Sequence, residues 1–369
     1  MKLICPKAVL AENIALVSRA VATRATMPVL ECVLLIADEA GFRLLSNNLE
    51  MTIETKEIDA EVFEMGGIAL DGKVFFDIIR RLPGDDVEIS VDAKNMTIIR
   101  SGRSEYKILG QSRAEFPAPP DVEKTQPYPV SMGIFRDMIR QCIFSISMDE
   151  SKPVFTGGLL EIDENQMRMV TTDTYRVSLR QFDLPATNEH PISAIIPGKT
   201  LNEISRILPD TEDACDIYFS DNQVLFDLEN CILTSRIIEG EFFKYSNVLT
   251  KDFVTKIMVN RSEFLGSVER VNIISRDAKK SPILLKSEDG KLAITSNSEL
   301  GLSYDEVKIT QDGQDFELKF NPAFISDILK TLDTDEIELY VVSTSAVSPC
   351  IIKIPETEDY TYLILPTRR

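Results

Sequence analysis

The sequence predicts an α+β chain of three repeated domains, each with two helices packed on antiparallel sheets. Three observations carry that expectation. First, residues 34–54 (LLIADEAGFRLLSNNLEMTIE), 159–179 (LLEIDENQMRMVTTDTYRVSL) and 284–304 (LLKSEDGKLAITSNSELGLSY) repeat one pattern about every 125 residues. Each copy opens on Leu-Leu, turns on an acidic pair and resumes with alternating apolar residues, as a half-buried hairpin requires. Second, residues 71–82, 197–208 and 321–332 each place a turn residue before a short amphipathic helix. Their apolar positions (Phe75, Ile78, Ile79, Leu82; Leu201, Ile204, Leu208; Phe324, Ile325, Ile328, Leu332) follow helical spacing. Third, each unit begins with an earlier helix, marked by Leu10, Ile14, Val17 and Val21, by Phe135, Met138, Ile139, Cys142, Ile143 and Ile146, and by Phe264, Leu265, Val268 and Val271.

Each unit thus reads strand, helix, strands, helix, strands, and domains of 1–122, 128–249 and 257–369 are expected, each large enough to bury its own core. Linkers are expected over the Pro-rich residues 117–129 and the polar residues 249–256.

Composition excludes more than it names. No apolar run approaches the roughly 20 residues that span a bilayer, and the start MKLICP lacks a signal-peptide core, so a cytoplasmic protein without membrane contact is expected. The six cysteines have no paired spacing and read as small buried hydrophobes. The single histidine, His190, reads as a loop residue, and no Walker A or dinucleotide fingerprint is present. Gly66-Gly67 and Gly157-Gly158 read as turns and close strand packing. Catalysis is not expected, and neither is a metal or cofactor.

The charge is −19, yet unevenly placed. Of 40 basic and 59 acidic residues, the six helical segments hold fifteen bases (Arg19, Arg24, Lys73, Arg80, Arg81, Arg136, Arg140, Lys199, Arg206, Arg261, Arg270, Arg276, Lys279, Lys280, Lys330) against eight acids (Glu12, Asp77, Asp137, Glu203, Glu263, Glu269, Asp277, Asp327). Basic helices in an acidic chain suit sequence-blind contact with phosphates. An acidic repeat scaffold that binds only proteins is the rival reading.

Residues 26–30 (TMPVL), 100–104 (RSGRS), Phe116-Pro117, Thr172-Asp173 with Arg176, and 362–368 (YLILPTR) carry a resemblance. Over its whole length the chain resembles the bacterial replicative sliding clamps, the β subunits of DNA polymerase III. The resemblance implies a head-to-tail homodimeric ring around double-stranded DNA, held without sequence preference, with helices lining the pore. It implies DNA contact by Arg24, Lys73 and Lys199. It also implies a cleft for short motifs of the replicative polymerase alpha subunit, the clamp loader, and other polymerases and repair proteins. The matching cleft positions are Phe155, Thr172, Thr174, Tyr175, Arg176, Val177, Phe243, Asn247, Val248, Leu363, Leu365, Pro366 and Thr367. Tyr106 and Ile108 would meet Ile273 and Ile274 of the other subunit. Phe243, Asn247, Leu365 and Thr367 depart from the best-known member, which implies a motif preference of its own, and Pro153-Val154 stand where that member has aromatic residues that contact single-stranded DNA, so such contact is not expected at this loop.

Overall fold

The computed structural model describes residues 1–249, 252–275 and 281–367. Its helices are α1 (Lys7–Val17), α2 (Gly72–Arg81), α3 (Met132–Ile143), α4 (Gly198–Ile207), α5 (Arg261–Val271) and α6 (Pro322–Thr331). Three of their starts follow from capping, those of α2, α5 and α6: the Asp71 carboxylate accepts from the Val74 amide, Asn260 from Glu263 and Asn321 from Ala323. Phe75, Ile78 and Ile79 of α2, Leu201 and Ile204 of α4, and Ile325 and Ile328 of α6 are buried as their spacing predicts.

The helical stretches end sooner than expected. Val21 is extended after the 3-10 turn Ser18–Ala20, and Ile146 follows the end of α3. Arg24 therefore stands on an irregular exposed segment, not on a helix. Arg261 is no solvent-facing base: its guanidinium donates to the Thr334 and Leu329 carbonyls at 2.6 and 2.8 Å and fastens α5 to the end of α6. Arg270 pairs with Asp305 at 2.5 Å and Lys330 with Glu269 at 2.8 Å. Arg276, Asp277, Lys279 and Lys280 lie outside the described residues, as do Arg368 of the terminal motif, Arg369, and Thr250 and Lys251 of the second expected linker.

The chain groups into two compact units, residues 1–133 with 206–237 and residues 134–205 with 238–369. In the first, a five-stranded sheet ends at Glu61–Glu64 on one side and Ser104–Leu109 on the other. A nine-stranded sheet joins strands of the first repeat to strands of the middle one, because Cys231–Arg236 pairs antiparallel with Met51–Thr55. In the second unit a ten-stranded sheet does the same for the middle and last repeats: residues 176–180 pair with Tyr360–Ile364.

The repeat is kept at the level of register. Leu45 faces Glu54, Val170 faces Leu179 and Thr295 faces Tyr304, the same pair at a constant offset. Alternation is less uniform than the repeat suggests. Lys291–Ser298 alternates, whereas Cys32–Asp38 is buried almost continuously. The reason is a second cover: Cys32, Leu34 and Ile36 pack with Val29, Leu30 and Phe116, so that face is not left to water. Gly157 serves close packing, since a Cβ there would lie 2.6 Å from the Ile196 carbonyl oxygen.

Residues 117–127 have no helix or strand, but Pro129 belongs to the strand Tyr128–Ser131 and Lys256 to Thr255–Asn260, so both expected linkers are shorter. His190 lies within the strand Arg176–Pro197 instead of a loop. All six cysteines are buried and unpaired. Burial pushes Cys5 up to about 12 and Cys32 up to about 11, with neighbouring carboxylates adding to it. Those thiols stay protonated and inert.

The seam between repeats makes a prediction. Leu233 faces Ile53 across it, and both are fully buried. Leu233→Ala should cost about 2–5 kcal/mol. Native-state hydrogen exchange should register the loss in Met51–Thr55 as well as in Cys231–Arg236. A loss confined to Cys231–Arg236 would contradict a cooperative seam.

Candidate functional site

The second unit carries an apolar cleft of about 410 Å³. Its floor is the seam itself: Val177 and Leu363 face each other in adjoining strands and are nearly fully buried. Phe155, Phe243, Val248, Tyr175, Leu365 and Pro349 complete its apolar lining. Phe155, Phe242 and Phe243 interlock with ring centroids 5.3 to 6.1 Å apart. Tyr245 fixes the short turn before Val248 by donating to the Glu161 carboxylate. Burial and that bond push its phenol up to about 12, so it remains a donor.

The turn over residues 172–176 shapes the cleft mouth. Thr174 has a φ of 76°, a left-handed conformation made tolerable by local bonds. The Thr172 hydroxyl donates to the Arg176 carbonyl at 2.7 Å and accepts from the Thr174 amide at 3.0 Å, while Asp173 accepts from the Tyr175 and Arg176 amides. These bonds leave Tyr175 62% exposed, standing over Phe324.

Arg176 lines the cleft but is committed elsewhere. Its Nε donates to Asp173 at 2.9 Å, Nη1 to Asp327 at 2.7 Å and Nη2 to the Phe144 carbonyl at 2.5 Å. Its guanidinium also lies 4.3 Å from the Phe324 ring centroid and 5.4 Å from that of Phe144. Burial opposes the charge, but Tyr362, Asp327 and Asp173 outweigh it and raise the pKa. Arg176 is a strut between the cleft turn, α3 and α6. Phe324, expected in the core of α6, is instead half-buried as part of this cradle.

The C-terminal segment is tied down. The Leu365 amide donates to the Tyr175 carbonyl at 2.9 Å and the Thr367 amide to the Lys319 carbonyl at 2.8 Å. Ten of the thirteen expected cleft residues therefore converge, while Asn247, Pro366 and Thr367 do not line the cavity. Pro349, Asp327 and Phe144 were not foreseen. Asp327 was legible only as one helical acid, because its partner stands 151 residues away.

The other expected positions are exposed or half-buried. Arg24, Lys73 and Lys199 are exposed. Lys73 and Lys199 hold the same place in α2 and α4, in the first turn after Gly72 and Gly198. A Cβ at Gly198 would lie 2.9 Å from the Thr156 carbonyl oxygen, which keeps that start glycine. Lysine at a helix N-terminus works against the dipole by about 0.3–1 kcal/mol, so the placement is not one that stability favours.

In the first unit, Ser104–Leu109 pairs only with Met96–Ser101 and presents Tyr106 and Leu109, with Ile108 half-buried. In the second, residues 301–308 pair with Lys291–Ser298, while only residues 309–313 pair with Thr255–Asn260. Leu300, Leu302 and Tyr304 are exposed there, as is Ile273, with Ile274 half-buried. Two strand edges are thus flanked by exposed apolar side chains, and Leu109, Leu300, Leu302 and Tyr304 were missed in the sequence.

Family models of the DNA polymerase III beta subunit match the chain as its N-terminal domain over residues 1–120, central domain over 130–244 and C-terminal domain over 246–368. The beta sliding clamp of Bacillus subtilis (strain 168) is 31% identical over 378 residues, covering all of both chains. A crystal structure of a putative DNA polymerase III beta subunit from Eubacterium rectale superposes with a TM-score of 0.95 at 39% identity, over the full length of both chains. The DNA polymerase sliding clamp of Bacillus subtilis does so with a TM-score of 0.96 at 30% identity, covering 100% of this chain and 99% of that one.

If Arg176 is a strut, its partner matters as much as the residue itself. Asp327→Ala should destabilise the second unit by about 1.5–3 kcal/mol, the range for a hydrogen bond to a charged group, with the lower end favoured by partial exposure of Asp327. Chemical denaturation measures it. An unchanged midpoint would show that Arg176 does not depend on α6.

Proposed function

The chain belongs to the DNA polymerase III beta subunit family of sliding clamps, and on that premise we propose how this member works. Two copies close head to tail into a ring around duplex DNA, and the apolar cleft holds short linear motifs of the proteins that must stay on the template. The protein catalyses no reaction of its own and serves as a processivity factor, working in the cytoplasm. Among the described residues no helix is long and apolar enough to cross a membrane.

The observation that carries this reading is the cleft. It is a preformed apolar pocket whose one guanidinium is already paired, fit for aliphatic and aromatic anchors of an extended peptide. The partners are the replicative polymerase alpha subunit, the clamp loader, and other polymerases and repair proteins with such motifs. The exposed strand edges Ser104–Leu109 and residues 301–308 support closure, Tyr106 and Ile108 of one subunit meeting Ile273 and Ile274 of the other beside Leu302 and Tyr304. Arg24, Lys73 and Lys199 are the proposed phosphate contacts, the two lysines each reinforcing a helix N-terminus. The rest of the −19 charge discourages tight contact, which suits a ring that slides.

Loading on nicked circular DNA by a clamp loader, followed by linearisation, tests this function against a protein-only scaffold. Release on linearisation is expected, and equal retention on circular and linear DNA would overturn encirclement. Arg24, Lys73 and Lys199 changed together to Glu should weaken loading on every sequence alike, most at low salt. A changed sequence preference would show that these residues read bases.

A further inference from the structure

A second surface, in the first unit and unrelated to the cleft, has the chemistry of a docking site. The strand Glu61–Glu64 ends the five-stranded sheet and pairs on one side only, with residues 2–4. Phe63 and the neighbouring Met65 are 57% and 61% exposed. They border a cavity of about 330 Å³ whose lining includes the buried Phe42 and three carboxylates, Asp38, Glu39 and Glu57, with no basic residue. Asp38 is held by Arg43 at 2.9 Å, while Glu39 and Glu57 are exposed, as are Glu61 and Glu64, the first and last residues of the strand. The Phe63 ring already faces a cation, the Lys2 ammonium 5.8 Å from its centroid.

We propose that this edge docks an extended basic segment of a partner protein, one that alternates lysine or arginine with large apolar side chains. The backbone adds a strand to Glu61–Glu64, apolar side chains cover Phe63 and Met65, and the cations meet Glu39, Glu57, Glu61 and Glu64. Charge selects this occupant. Glutamates on an edge strand repel a second copy of the same edge, and an acidic partner is repelled likewise, whereas a cationic strand finds unpaired acceptors and carboxylates together.

The probe is a fluorescein-labelled peptide, Lys-Phe-Lys-Val-Lys-Leu-Lys, titrated into the full-length protein at physiological salt, with the Glu-for-Lys version as control. Binding is read by anisotropy and located by hydrogen exchange. Expected are protection of the amides in Glu61–Glu64, no binding of the acidic control, and at least about tenfold weaker binding to the Phe63→Ser, Met65→Ser variant. Those two side chains are exposed, so the variant should keep its thermal midpoint. A second variant, Glu39→Gln with Glu57→Gln, should weaken binding while leaving Phe63 in place. Absent binding, equal affinity for the variants, or protection located in the cleft or on Ser104–Leu109 would each overturn the proposal.

Discussion

Backbone pairing across repeat boundaries is the constraint on which the rest of this structure depends. A sheet ended at each repeat would leave a row of unpaired amides and carbonyls facing a neighbour that needs the same thing. Here Met51–Thr55 is completed by Cys231–Arg236, and residues 176–180 by Tyr360–Ile364. The second of these seams places Val177 beside Leu363 and so makes the cleft floor. The site is a product of joining two repeats, and neither repeat alone contains it.

That origin explains what could be read in the sequence. Hairpins and helices were legible because a repeat copies local patterning: Leu45, Val170 and Thr295 occupy one register position in three settings. Most cleft residues came through family resemblance, because nothing in the spacing of Thr172, Phe243 and Leu363 brings them together. The Arg176 strut was hidden for a similar reason. Its three oxygen partners come from its own turn, the end of α3 and the middle of α6, and only Asp173 is local. Alternation also misled where a surface strand gained a second cover, as at Cys32–Asp38, since periodicity reports one buried face and not two.

The charge distribution survives in altered form. Several helical bases are spent inside the fold or in pairs, Arg261 on carbonyls, Arg270 on Asp305 and Lys330 on Glu269. Lys73 and Lys199 stand out by position more than by number, each in the first turn of a helix whose dipole disfavours it. A cation kept against the dipole gains where an anion is presented to it, and weak, screened attraction to phosphates tolerates the acidic remainder.

Two edges are left open: Ser104–Leu109, which ends the five-stranded sheet, and residues 301–308, which pair on one side with Lys291–Ser298. The proposed ring closure would complete both by pairing the two between subunits. The direct measurement is hydrogen exchange of both segments across a dilution series, alongside native mass. Both should be protected where the mass is twice 41.5 kDa and should exchange together on dilution to monomer. A mass of 41.5 kDa at micromolar concentration, or a dimer in which these amides exchange freely, would contradict closure through these edges.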